Sequence, residues 1–193
     1  MKSFRINVAL IAMLFFVVHE AQAQQSFLRP DFLALQHAGS IGYLSAGLGY
    51  DVYQSRARLS FHYGNVPENL GGDLDIFTGK FLCVPAVIRA SEQVIIHPID
   101  VGVMVSYHTG DNFKSNVPDY FSKNYYWWHT NLRFHVAIEQ SVNIYFHERR
   151  IHRVSGYIEF NLNDLYVVSY VTNSSTVGLD ELVKAGIGTR IWF

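Results

Sequence analysis

The chain has 193 residues, 49% hydrophobic, 15% aromatic and 16% charged, which excludes a disordered protein, because disordered chains are poor in aromatics and rich in charge. With 15 basic against 16 acidic residues the net charge is -1, so the basic excess of a general nucleic-acid binder is missing and no nucleic-acid partner is expected. The single cysteine, Cys83, rules out an intramolecular disulfide framework and a multi-cysteine zinc site, leaving core packing or a membrane to supply stability.

At the N-terminus Lys2 and Arg5 precede an apolar run over 7–18, and Ala21 and Ala23 follow it. The run is too short to cross a bilayer comfortably as a helix, and small residues suit a signal-peptidase pocket. Residues 1–23 are therefore expected to be a cleaved signal peptide and 24–193 the mature domain. No cysteine follows the run, which excludes a lipoprotein anchor, and Cys83 is expected to be a buried apolar side chain rather than a redox centre.

Residues 24–193 contain no transmembrane-helix-length apolar stretch, and their dominant pattern is period two. Leu44, Ala46, Leu48, Tyr50 and Val52 share one parity, opposed by Tyr43, Ser45, Gly47, Gly49 and Asp51. After a turn near 54–55, Ala57, Leu59, Phe61 and Tyr63 alternate with Arg56, Arg58, Ser60 and His62. Over 74–88 the rows are Phe77, Phe81 and Cys83 against Ile76, Thr78, Lys80 and Leu82. Val101, Val103, Val105 and Tyr107 then alternate with Gly102, Met104, Ser106 and His108. Trp128, Thr130, Leu132, Phe134, Val136 and Ile138 alternate with His129, Asn131, Arg133, His135, Ala137 and Glu139. Val154, Gly156, Ile158, Phe160 and Leu162 oppose Ser155, Tyr157, Glu159, Asn161 and Asn163, and Val183 to Phe193 opposes Lys184, Gly186, Gly188, Arg190 and Trp192. About eight strands are expected, near 31–37, 41–53, 56–64, 74–88, 99–108, 127–140, 153–163 and 181–193, each close to the roughly ten residues of a tilted barrel strand.

A chain whose last strand ends on an aromatic residue, Phe193, resembles the outer-membrane β-barrel family, in which the terminal strand is read by the barrel assembly machinery. Aromatic residues crowded at a strand end, Tyr125, Tyr126, Trp127 and Trp128, fit the girdles of such barrels. The segments 42–50, 62–67, 157–160, 163–166 and 186–193 make the chain similar to the small outer-membrane barrels of Bacteroidota. The resemblance implies an all-β fold, an eight-stranded antiparallel up-and-down transmembrane β-barrel, located in the bacterial outer membrane among its lipids. It carries no catalytic signature.

An even strand number brings both termini to one side. With that side periplasmic, the outward loops fall near 38–40, 65–73, 109–126 and 164–180, and the turns near 89–98 and 141–152 are long for periplasmic connections. The inward row then holds Arg56, Arg58, His62, Lys80, Asp100, His129, Asn131, Arg133, His135, Glu139, Tyr157, Glu159, Asn161, Lys184 and Arg190. An eight-stranded barrel has room only for side chains, so these groups are expected to pair into a polar plug without catalytic, cofactor or metal sites. His129 and His135, six residues apart on one strand, lie roughly 20 Å apart and cannot share an ion. The run 147–152 reads as a charged turn, and the sequon at Asn173 carries no role in a bacterial chain.

The expected function is that of a monomeric structural or surface-interaction protein meeting an unknown extracellular partner through its loops. Phe113, Tyr120, Phe121, Tyr125 and Tyr126 are the candidate contact surface. One alternative is a lipid A-modifying hydrolase of the deacylase type. His129 and Glu139 invite it, but a serine after the histidine is missing and the parity turns both residues away from acyl chains. Palmitoyl transfer lacks the amphipathic helix before the first strand. A second alternative is a secreted soluble β-sandwich binding module, whose strands would also alternate.

Overall fold

The computed structural model describes residues 29–70, 74–109, 131–147, 150–164, 167 and 182–193. Nine strands follow in order: β1 Phe32–Ala38, β2 Leu44–Val52, β3 Ala57–Val66, β4 Leu74–Cys83, the two-residue β5 Ile88–Arg89, β6 Val94–Thr109, β7 Leu132–Tyr145, β8 Arg153–Asn163 and β9 Val183–Trp192. A 3-10 turn, Glu68–Leu70, lies between β3 and β4. Each long strand pairs antiparallel with its neighbour in sequence, β4 pairs with β6, and β9 returns to β1. Eight strands thus close into an all-β up-and-down barrel, with β5 as a short appendage on β6.

The sheet's two faces are inverted relative to a water-soluble domain. Leu35, Leu48, Phe61, Phe77, Val103, Val136, Ile158 and Ile187 all face outward, and Val136 is 56% exposed. The inward rows bury Gln36, Arg58, His62, Lys80, Asp100, Arg133, His135, Glu139, Glu159 and Arg190. This arrangement corrects the β-sandwich alternative, in which the apolar rows would face one another across a dry core. Here closure places them on the outside of a single sheet.

Buried apolar groups form two clusters. Ile41 reaches in from the 39–43 connection to join Leu82, Met104 and Ala137, while Phe32, Ala34 and Trp192 pack at the opposite end. Glycines on the inward rows make room for large neighbours. A Cβ on Gly49 would strike the Phe32 ring, and one on Gly188 the Tyr157 phenol.

Several boundaries differ from the alternation-based expectation. Strand 74–88 stops at Cys83, and the ladder resumes at Val94 rather than 99. Its continuation is disguised by a bulge: His97 pairs with Ser141 and Asp100 with Glu139, so Pro98 and Ile99 stand opposite Gln140 alone. The extra residue reverses the parity, and Pro98 sits where no ladder N–H is required. β7 likewise runs on to Tyr145 through Ser141 and Asn143, shortening the long expected turns to 90–93 and 146–152. The first connection is longer than expected, spanning 39–43, because Ala38, Gly39, Ser40 and Gly42 all take positive φ.

Cys83 corrects a second expectation. It is exposed, because it ends the outward row of β4 that holds Phe77 and Phe81. The expected signal peptide, the expected loop over 109–126 beyond Thr109 with its aromatics, the start of the strand expected from 127, and Asn173 lie outside the described residues.

Because Phe32 occupies the space over Gly49, Gly49→Leu should lower stability by about 1–3 kcal/mol through overpacking. The midpoint of urea unfolding of the refolded protein measures it, and an unchanged midpoint would contradict the packing described.

Candidate functional site

The inward rows converge on a polar plug built in layers along the barrel. Nearest the end with the short turns, Arg153 at the start of β8 lies 2.5 Å from Asp51 on β2 and donates to the Tyr145 hydroxyl at 3.1 Å. Its guanidinium stacks 3.6 Å over the Trp192 ring, which in turn meets Phe32 at 4.9 Å between centroids. An arginine that is paired, hydrogen-bonded and stacked at once is well suited to a site shut off from water.

The next layer is set by strand register. Asp100 on β6 faces Glu139 on β7, and Glu139 faces Glu159 on β8, so three inward carboxylates form one cross-strand row. Like charges directly opposite repel. The row is held by cations from the other strands. Arg58 on β3 donates to Asp100 at 2.5 Å and to Glu139 at 3.0 Å. Arg190 on β9 grips both oxygens of Glu139, one of them at 2.8 Å, and stacks 3.8 Å over Tyr157. His97 completes the layer, its Nδ1 3.3 Å from Asp100 and 3.4 Å from Arg58.

Glu159 belongs to a third layer. Lys80 on β4 donates to Glu159 at 2.5 Å and to the Gln36 side-chain carbonyl at 3.0 Å. Gln36 donates back to Glu159 at 3.1 Å, and the Tyr157 hydroxyl donates to Gln36 at 2.9 Å. Gly186 stands beside Glu159 in the register without a side chain, which is where the Gln36 amide lies. Asn161 ties the layer to the first loop, donating to the Gly39 carbonyl at 2.6 Å. Toward the loop end the pairs become neutral, with Ser60 and the His62 ring 3.1 Å apart and Ser106 and the His135 ring 2.6 Å apart.

The placement of the sequence-expected residues follows from this geometry. Arg58, His62, Lys80, Asp100, Arg133, His135, Glu139, Tyr157, Glu159, Asn161 and Arg190 are buried on the inward rows. Lys184 is half-buried on the same row of β9, across from Asn161, and Asn131 is half-buried in the turn preceding β7. Arg56 is a correction: it is exposed, because 53–56 is a turn with positive φ at Tyr53, Gln54 and Ser55, and strand alternation does not extend into it. His129 lies outside the described residues.

Sequence reasoning missed Gln36, Asp51, His97, Arg153 and Trp192 as members of the network. His97 was hidden by the bulge. Trp192 and Arg153 carried a signal, since both continue inward rows already recognised on β9 and β8. Glu139 is committed to two arginines, an arrangement that fixes charge rather than freeing a carboxylate for proton transfer. Among the described residues no group of three His, Cys, Asp or Glu side chains could hold a metal ion.

No protein-family model matches the sequence, and no curated protein matches it. Among solved structures the chain is similar to the N-terminal β-barrel domain of Pseudomonas aeruginosa OprF, with a TM-score of 0.40 and 11% identity over 85% of this chain and 98% of that one.

Glu139→Leu strands the buried Arg190 guanidinium and leaves Arg58 to Asp100 alone, and should cost about 3–5 kcal/mol, the range for removing one partner of a buried ion pair. Glu159→Gln strands only Lys80, which keeps Gln36, and should cost less. Denaturant unfolding of the two variants side by side checks the order; the reverse order would contradict the layered arrangement.

Proposed function

We propose that the protein is an integral outer-membrane barrel with a filled lumen, acting as a structural or surface-interaction protein through the loops at one end. The observation that carries this reading is the inversion of the sheet, apolar outside on its strands and ion-paired inside. An apolar belt of that extent on a soluble monomer would drive association. Hydrocarbon is the solvent that suits it, and a closed barrel satisfies its own backbone there. Membrane lipids are thus the first partner.

The packed lumen supports a non-conducting barrel, since Arg58, Arg190 and Lys80 reach across it to the carboxylate row. What remains for contact with other molecules is the loop end. The aromatics Phe113, Tyr120, Phe121, Tyr125 and Tyr126 fall in the connection between β6 and β7 and are the surface we assign to an extracellular partner.

Expressed with its full sequence in a Gram-negative host, the protein should fractionate with the outer membrane and migrate differently before and after boiling. Val136→Arg, at the middle of the outward row of β7, should reduce the folded fraction, by about 2–4 kcal/mol if it lies at the bilayer midplane. Recovery of the wild type as a soluble periplasmic protein, or a steady conductance in planar bilayers, would overturn the reading.

Replacing the five loop aromatics together by serine should preserve the heat-dependent migration and reduce binding to cells or matrix. Unchanged binding would remove the loop from the proposal.

A further inference from the structure

Among the described residues three buried histidines face the lumen, His62, His97 and His135, and their surroundings differ. His97 has an acid, its Nδ1 lying 3.3 Å from Asp100. His135 has the Ser106 hydroxyl at 2.6 Å, with the carboxylates of Asp164 and Glu159 as well as the Arg133 guanidinium acting on it. His62 has no acid. Its Nε2 meets the Ser60 hydroxyl at 3.1 Å, and its Nδ1, turned over Gly47, has no hydrogen-bond partner among the described residues.

Register accounts for the company His62 keeps. Across to β4 it faces Thr78, with Lys80 one inward step away, opposite Ser60. On the other side its row runs through Gly47 on β2 and Ala34 on β1 to Arg190 on β9. Glycine and alanine put little between the ring and that arginine. Arg58, two inward steps back along β3, is engaged by Asp100 and Glu139. The charges that act on the ring are Lys80 and Arg190, both positive, and the acids Glu159 and Glu139 are already bound to them.

A neutral imidazole suits this place, since it carries one N–H, which the Ser60 hydroxyl can accept. An imidazolium carries two, and the one at Nδ1 has no acceptor. It also sets a third cation beside two others in a lumen where charges persist only when paired.

We propose that His62 is an acid-sensitive latch on the plug: neutral, it leaves Lys80 and Arg190 to hold Glu159 and Glu139, and protonated, it repels both cations and loosens those pairs. His62 lies two residues beyond the level of Lys80 toward the connection between β3 and β4, so a proton entering from the loop end meets it before the ion-paired layers. Stability that depends on the neutral ring is present at neutral pH and is lost as the pH falls through the histidine range. The inference concerns the lumen and stands whichever solvent surrounds the outer wall.

Urea unfolding of the purified full chain at about pH 7.5 and about pH 5 tests it, a window that spans the histidine range and stops above that of ordinary carboxylates. The wild-type midpoint should be lower at the acid pH. His62→Gln, which keeps a polar side chain but has no proton to gain, should lose more than half of that fall, while His97→Gln and His135→Gln keep it. If His62→Gln fails to show heat-dependent migration at neutral pH, Lys80→Met combined with Glu159→Gln takes its place. That pair removes a cation facing the ring together with the acid it holds, and should narrow the difference between the two pH values. Wild-type midpoints that agree, a fall left intact by His62→Gln or undiminished in the double variant, or an equal loss of the fall in His135→Gln would each overturn the inference.

Discussion

The interaction on which the rest of the structure depends is the neutralisation of one cross-strand row of acids. Asp100, Glu139 and Glu159 lie side by side on β6, β7 and β8, and an open three-stranded sheet could not hold them in that register. Their counter-charges, Arg58, Lys80 and Arg190, come from β3, β4 and β9. Those positions come together only when β4 meets β6 and β9 meets β1. Closure is therefore a condition for satisfying the acids, and the satisfied acids in turn disfavour reopening, since each buried charge would lose its partner. Ion pairs of this kind add little net stability compared with apolar packing. What they specify is which arrangement of the eight strands is acceptable.

The same constraint explains the chemistry of the neighbours. A lumen crossed by guanidinium groups needs flat surfaces and small gaps rather than branched aliphatics. Arg190 lies over Tyr157 and Arg153 over Trp192, while Gly186 and Gly188 leave room for Gln36 and the Tyr157 ring. With the polar groups consumed inside, the apolar rows are left for the exterior. Inside and outside are thus two consequences of one alternation.

That alternation made much of the fold legible in the sequence. β8 ends where the pattern predicts, at Arg153 and Asn163, because its rows are unbroken. β7 was shortened by five residues at its end because Gln140, a polar residue on the apolar row, reads as the end of a strand. Arg56 was misplaced because a period of two carries no information about where a turn begins. The site was half legible: parity identifies which groups face inward, and so it found Glu139, Glu159 and Arg190. It does not identify which of them meet. That depends on register and on closure between strands distant in sequence, as with Gln36 and Glu159, and no local pattern encodes such a contact.

The bulge at 97–100 shows how a departure from the pattern links the two faces. His97 and Asp100 are an odd number of residues apart, so in a regular strand one would face outward; the extra residue brings both into the lumen. The same insertion puts two residues, Pro98 and Ile99, opposite Gln140. Pro98 brings no N–H to that position, so the outer wall there offers one donor fewer to a nearby amide. What the inserted residue completes on the inside is the approach of His97 to Asp100, 3.3 Å away. A strand without it would keep Asp100 inside, on the row of Met104 and Ser106, and would turn His97 to the outer wall.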